Sequence, residues 1–347
     1  MHMAPVRNAR SVFNEVPIGL PDPGRTVKYD DSQTIDLDDV DLGGGFLVKV
    51  LYVSMDPYLR NRMREPSPKN LRPPFIIGDP LVNFGIGVVL RSENPEMKVD
   101  DHIYGFLPFQ EYAILKETKA FRVISNEANI PWSAYVGVCS MPGQTAYYGW
   151  RALAEAKKGE TLFVSAGPVG SFVIQLAKHE GLKVIASAGS DEKVQFIKSI
   201  GADVAFNYKK ELTTEILDKE GPINIYWDHV GGETLDAALD AAAHFARFVE
   251  CGMMSQNNAT PENPPYIPKN LQLVIGKTLT IRGFVVTVFE DQYKEDFYAE
   301  IPSRVAKGEL KYVEDVTVGL EGVGQALLNV QTGANRGKSV IRVSQSQ

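Results

Sequence analysis

Cysteine, histidine, positive charge and long apolar runs are all scarce in this chain of 347 residues, and each shortage removes a class of function. Two cysteines, Cys139 and Cys251, cannot build a disulfide framework and suit a reducing compartment. Five histidines, His2, His102, His179, His229 and His244, form no ligand-spaced cluster, so no metal is expected. A formal charge of −7 argues against a nucleic-acid partner, because phosphate binding favours a basic face. No run of about 18 apolar residues exists, so no membrane-spanning segment is expected. The opening MHMAPVRNARSVF lacks an apolar signal core, and its Met1-His2-Met3 could be a cloning remnant. A soluble, cytoplasmic protein is therefore expected, with length enough for two domains.

What is present begins with TLFVSAGPVG at 161–170. An apolar run rich in β-formers stops at a small-residue turn, and an amphipathic helix over 168–180 starts at once. Glycines let a backbone approach a pyrophosphate, and the free amides of a helix N-terminus face its charge. Read as G-x-G-x-x-G, the turn is Ser165-Ala166-Gly167-Pro168-Val169-Gly170, with serine in the first glycine's place. Alone, such a match reads equally well as a tight turn packing a helix on a strand.

The order of the later segments gives the turn its meaning. Five further strand-like runs, at 183–188, 203–208, 223–230, 247–254 and 279–286, alternate with helical patterns such as 190–200 and 233–245. Short apolar strands separated by helices imply a parallel sheet covered on both faces. The sequence therefore predicts an α/β fold with a six-stranded parallel Rossmann domain over 132–311. The Pro-rich stretches 66–74 and 261–268 read as loops, the second overhanging the sheet's C-terminal edge. The first ~130 residues have a different texture. Short apolar runs at 46–53, 85–90 and 103–106 alternate with turns and suggest an antiparallel β domain. The last elements, near 312–318, 323–331 and 339–343, are expected to return to it, giving a domain of 1–131 plus 312–347.

Several segments together resemble the medium-chain dehydrogenase/reductase superfamily. Within it, the resemblance is to zinc-independent, NADPH-dependent double-bond reductases: plant alkenal reductases and the prostaglandin reductase/leukotriene B4 dehydrogenase enzymes. The segments include LYVSMDPYLRNRM at 51–63, GVCSMPGQTAYYGW at 137–150, SAGSDEKVQFIKSIGADVAFNYK at 187–209, CGMMSQ at 251–256 and GANRGK at 333–338. The resemblance implies a GroES-like, mainly antiparallel catalytic domain beside the Rossmann domain. It also implies a homodimer joined through the Rossmann sheet edge, where an apolar strand invites pairing.

Cofactor choice is read at the tip of the second parallel strand. A carboxylate there accepts from the 2′-hydroxyl of NAD and repels a 2′-phosphate. KVIASA ends instead on Gly189, and Lys193 follows one helical turn later. The resemblance gives Lys193 and Tyr208 the 2′-phosphate, so NADPH is expected; Asp191 and Glu192 nearby object unless they point to solvent or cap the helix. Gly167, Val169 and Gly170 are assigned to the pyrophosphate. The resemblance also places His229, Cys251, Ser255, Phe284, Val286 and Asn335 around the cofactor, with Cys251 a packing residue and not a nucleophile.

Tyr52 is the first candidate for a phenolic donor to a developing enolate oxygen, although an alternating strand aromatic reads equally well there. Tyr58, Met55, Asp56 and Pro57 are read as shaping its loop. Phe84, Met141 and Tyr266 complete an expected apolar substrate pocket. Two positions and one turn depart from the family pattern; the turn after the first strand is shorter than the family's usual alanine/serine-rich loop and resembles the GAGPVG form of the zinc enzymes. Asn257 stands where relatives carry a tyrosine, and an amide can donate a hydrogen bond but cannot deliver a proton at neutral pH. His229 stands where relatives often have asparagine beside the cofactor; a histidine there could hydrogen-bond the nicotinamide ribose or simply fill a strand end. The resulting expectation is reduction of the C=C bond of α,β-unsaturated aldehydes or ketones, with the final proton from water or another group; Tyr266 could replace the missing phenol. A quinone or carbonyl reductase on the same scaffold, and a non-catalytic NADPH-binding protein, are the alternatives.

Overall fold

The structure is a computed structural model that describes residues 4–68, 70 and 72–345. The expectation for Met1-His2-Met3 lies outside the described residues. The chain divides into two compact units, residues 1–137 with 314–347 and residues 138–313.

In the second unit, six strands form one sheet: Thr161–Ser165, Lys183–Ala188, Val204–Asn207, Ile223–Asp228, Ala242–Glu250 and Thr280–Gly283. All neighbours run parallel, in the order third, second, first, fourth, fifth, sixth. Strand order therefore reverses between the first and fourth strands, and in such sheets ligands bind beyond the carboxyl ends at that reversal. Helices Pro168–His179, Asp191–Ser199, Thr213–Glu220 and Gly232–Ala241 link successive strands. One face of the sheet is aromatic, with Phe163, Tyr226 and Phe248 packed against Leu235 and Leu239 of the helix Gly232–Ala241.

Three boundaries differ from the sequence pattern for identifiable reasons. The alanine-rich segment after Leu239 favours helix locally, yet the helix stops at Ala241 and Ala242 pairs with Ile223. Pairing in a buried sheet overrides the propensity, and the misfit is absorbed at Phe245, whose φ is +64°. The fifth strand stops at Glu250 instead of continuing to 254, because the amides of Cys251 and Gly252 turn inward to the carbonyl of Asp228. With its neighbour ending there, the sixth strand stops at Gly283, and Val286 opens the short helical turn Val286–Phe289.

The first unit is built on a seven-stranded, mostly antiparallel sheet. Along it lie Glu314–Val318, Lys338–Arg342, Phe46–Ser54, Val82–Ser92, His102–Pro108 and Arg122–Val123, with Tyr112–Leu115 also paired to Phe46–Ser54. Phe46–Ser54 reads FLVKVLYVS without clean alternation because it is the central strand, covered on both faces. The late strand Lys338–Arg342 pairs antiparallel with it, opposite Tyr52, Val53 and Ser54. Among the described residues no helix is long and apolar enough to cross a membrane.

Candidate cofactor and active site

At the first strand's end, Gly167 precedes helix Pro168–His179 as its N-cap and supplies no side-chain acceptor to the helix amides. The first amides of that turn are thus left for an outside anion. Gly170 is required by packing: a Cβ there would lie 2.2 Å from the carbonyl oxygen of Ser165. Helix and strand approach too closely for any side chain, as the third position of the glycine pattern requires. Val169 sits half-buried between them.

The second strand's tip carries no carboxylate. Gly189 lies under the Tyr208 phenol, whose oxygen would be 2.9 Å from a Cβ, and Tyr208 is otherwise exposed. Ser190 caps the next helix by accepting from the Lys193 amide at 3.3 Å. The Asp191 carboxylate turns away to the third strand's end, taking a hydrogen bond from Asn207 at 2.8 Å and an ion pair with Lys210. Lys210 and Asn207 hold Asp191 below the usual carboxylate range, so its charge is already engaged.

The fourth strand ends in Tyr226-Trp227-Asp228, and His229 follows at once. Trp227 Nε1 donates to His229 Nε2 at 3.1 Å, and His229 Nδ1 lies 3.2 Å from Ser165 Oγ across the strand reversal. With Nε2 accepting, the hydrogen-bond pattern assigns the proton to Nδ1. Burial pushes this imidazole down to about 4, against the hydrogen bond at Ser165. His229 is therefore a neutral bridge between the first and fourth strands. Asp228 Oδ1 accepts from the Tyr226 hydroxyl at 2.8 Å and from the amides of Val230 and Gly231 at 2.7 and 2.8 Å. Those bonds fix a turn in which Gly231 and Gly232 both have positive φ, +68° and +56°, a conformation open to glycine at little cost.

Beyond the fifth strand, burial pushes the Cys251 thiol up to about 12, which suits packing and not nucleophilic attack. Ser255 Oγ donates to the Val230 carbonyl at 2.6 Å and ties this loop to the glycine turn. Asn257 is buried, its amide donating to Met254 Sδ at 3.4 Å. The Tyr266 hydroxyl donates to Asp236 at 2.8 Å, so that phenol braces its own loop. Phe284 packs edge-on against Trp227 at 6.0 Å. Met141 opens helix Met141–Gly149, where its carbonyl accepts from Thr145.

In the first unit, Tyr52 is half-buried between the buried Leu51 and Val53, opposite Ile86 and Arg342. Phe84 stacks on Tyr104 at 5.7 Å and packs tilted against Phe106 at 4.3 Å. Asn335 bends its own turn, donating to the Gly337 carbonyl at 2.6 Å. Sequence reading missed what holds the loop after Tyr52. Lys338 is buried and donates to the carbonyls of Met55 and Ser339, both at 2.8 Å, while pairing with Asp56 at 3.1 Å. Asn83 donates to Ser54 O and Asp56 Oδ2 and accepts from the Tyr58 hydroxyl. A lysine heading the largely buried strand KSVIR was the one available signal.

The glycine cradle, uncapped helix amides, carboxylate-free second strand tip and cationic Lys193 fit an NADP-type dinucleotide. Among the described residues, no group of three or more His, Cys, Asp or Glu side chains could hold a metal ion.

Comparison with known proteins agrees with this geometry. Residues 168–302 match the family described as zinc-binding dehydrogenase, and residues 12–123 match the N-terminal domain of oxidoreductase. An NADP-dependent oxidoreductase, RED1, of Cochliobolus heterostrophus is 40% identical over 97% of this chain and 98% of its own. The NADP(+)-dependent 2-alkenal reductase of Nicotiana tabacum is 40% identical over 86% of this chain and 87% of its own. Among solved structures, CurA of Vibrio vulnificus in complex with NADPH superposes with a TM-score of 0.87 at 31% identity, covering 97% of this chain and all of the other. The chain belongs to the medium-chain dehydrogenase/reductase superfamily, among its NADP-dependent oxidoreductases.

Proposed function

We propose that this oxidoreductase uses NADPH to reduce the C=C bond of α,β-unsaturated aldehydes and ketones. The supporting observation is the cofactor edge: no carboxylate guards the second strand tip, the Asp191 charge is engaged by Lys210, the Tyr208 phenol lies over Gly189, and Lys193 is in the first turn of the helix that follows. Similarity to an alkenal reductase supports the acceptor class.

When bound, NADPH supplies a hydride, which this chemistry delivers to the β-carbon of the conjugated acceptor. The chain's own residues have narrower tasks. Gly167, Val169 and Gly170 would receive the pyrophosphate, and Lys193 and Tyr208 would receive the 2′-phosphate. His229, kept neutral, and Cys251, kept as a thiol, line the inner crevice without adding charge. Ser255, Phe284, Val286 and Asn335 complete the cofactor contacts. Tyr52 donates its phenolic proton as a hydrogen bond to the carbonyl oxygen while negative charge develops there, and an oriented donor acts where the charge appears. Asn257 can donate but cannot release a proton, so the α-carbon is protonated by water. Phe84 and Met141 contribute apolar walls for the acceptor.

We also assign the open edge of the sixth strand to a homodimer contact, since Ile281 on it and Val285 just beyond it are exposed apolar residues. The activity is tested by following NADPH absorbance with matched acceptors. Enals and enones should be consumed and their saturated counterparts left untouched. Turnover of saturated ketones or of quinones at comparable rates would favour a carbonyl or quinone reductase instead.

A further inference from the structure

Asp228 and Glu250 end the fourth and fifth parallel strands as direct partners across the sheet. Asp228 is fully buried. Its Oδ2 and both carboxyl oxygens of Glu250 are buried and meet no N–H or O–H donor among the described residues. As register partners on adjacent strands the two carboxyls lie side by side, near enough for each to perturb the other's charge. Two anions cannot persist side by side in such surroundings, because burial and mutual repulsion both oppose the second charge. One proton must lie between them. Asp228 turns its other oxygen to three donors, the Tyr226 hydroxyl and the amides of Val230 and Gly231, which favour its anion. The proton therefore belongs to Glu250.

We propose that Glu250 is a positioning residue for cofactor binding: as a neutral acid it donates to Asp228 Oδ2 and so keeps the Val230–Gly232 turn in the form that receives NADPH. Release of that proton to solvent would leave two facing carboxylates. Their repulsion would strain the Asp228 bonds that hold the turn, and an extra negative charge would lie beneath a crevice built for an anionic dinucleotide. Burial and the Asp228 charge push Glu250 up to about 8, which sets the range in which the change should appear.

The neighbours do not compete in that range. On the fourth strand, Tyr226 is raised well above the usual phenol range, and the His229 beyond it is neutral from about 4 upward. Next to Glu250, Cys251 holds its proton to about 12. Across the sheet on the other side stands Gly283, while its neighbour Arg282 is paired with Glu155. On helix Gly232–Ala241, Asp236 is engaged by Tyr266 and the amides of Lys269 and Asn270, and Glu233 is exposed.

The inference rests on NADPH occupying this crevice and is independent of the acceptor. NADPH Kd is measured on the full-length protein from about pH 6.5 to about pH 9.5, without any acceptor. The wild type should hold its affinity to about pH 7.5 and then weaken, by at most tenfold per pH unit for one linked proton. Glu250→Gln, which keeps a neutral donor, should match the wild type at neutral pH and remain flat; titrations elsewhere are common to both proteins and cancel. An equal alkaline loss in Glu250→Gln, or a flat wild type, would overturn the assignment. Infrared spectroscopy of the wild type does not depend on the variant folding: a protonated-carboxyl C=O stretch should be present at neutral pH and fade in step with the affinity, and its absence at neutral pH would also overturn it.

Discussion

His229, Lys193 and Tyr52 carry the account at the scale of single residues, and each makes a separable prediction. Because the folded-state value of His229 lies near 4, below the ordinary histidine value near 6.5, the unfolded chain binds more protons between those limits. Stability contributed by His229 is therefore complete above about pH 6.5 and is lost as the pH falls toward 4, by on the order of 3 kcal/mol. In His229→Asn, denaturant unfolding should show a shallower acid loss across that window. Lys193→Ala should lower the NADPH/NADH ratio of kcat/KM by roughly 10- to 100-fold, the weight of one charge-assisted contact. An unchanged ratio would place the 2′-phosphate elsewhere. With Tyr52 in its proposed role as oxyanion donor, Tyr52→Phe should cut kcat roughly 10- to 100-fold with conjugated acceptors while leaving NADPH affinity intact.

Part of this was legible in the residues. The missing carboxylate at Gly189 and the serine start at Ser190 sit where the strand and helix patterns put them. The engagement of Asp191 by Lys210 was not, because it depends on how the third strand's end comes beside the second's. For the same reason the buried pair Asp228 and Glu250 was invisible: the two are far apart in the chain and meet only through strand register.

Elements are where pattern reading and structure agree best, and their disagreements have a common cause. Lys183–Ala188 appears as its apolar run predicts, and helix Asp191–Ser199 begins behind its serine cap. Two misplaced boundaries lie where the backbone finds partners outside its own element, at Ala242, paired with Ile223, and at Cys251 and Gly252, claimed by Asp228; the third, at Gly283, follows from the second. Helix Thr213–Glu220 escaped notice because Leu217 is its one buried residue, too little for an apolar stripe. The tightest element contact also gives the plainest test. Gly170→Ala puts a Cβ 2.2 Å from Ser165 O, so the helix must shift off the strand. Thermal unfolding should report a loss of about 2 kcal/mol or more, and NADPH affinity should fall with it because the pyrophosphate turn moves too.

For the whole molecule, the parallel sheet with its reversal between the first and fourth strands marks where a dinucleotide binds in such folds, and within the mostly antiparallel unit Lys338 braces the loop after Tyr52. The sheet's open edge at Thr280–Gly283 gives an assembly prediction. Ile281→Lys, a charge on an edge strand, should convert a dimer to a monomer in light scattering, with the cofactor crevice at the first and fourth strands intact. A wild type already monomeric at all concentrations would remove that contact.

The most direct test of the central claim traces the label from NADPH carrying deuterium at the transferred position. With an enone acceptor, product NMR should place the deuterium on the β-carbon, leave the carbonyl intact and show the α-hydrogen drawn from solvent. Deuterium on the carbonyl carbon, giving an alcohol, would contradict double-bond reduction.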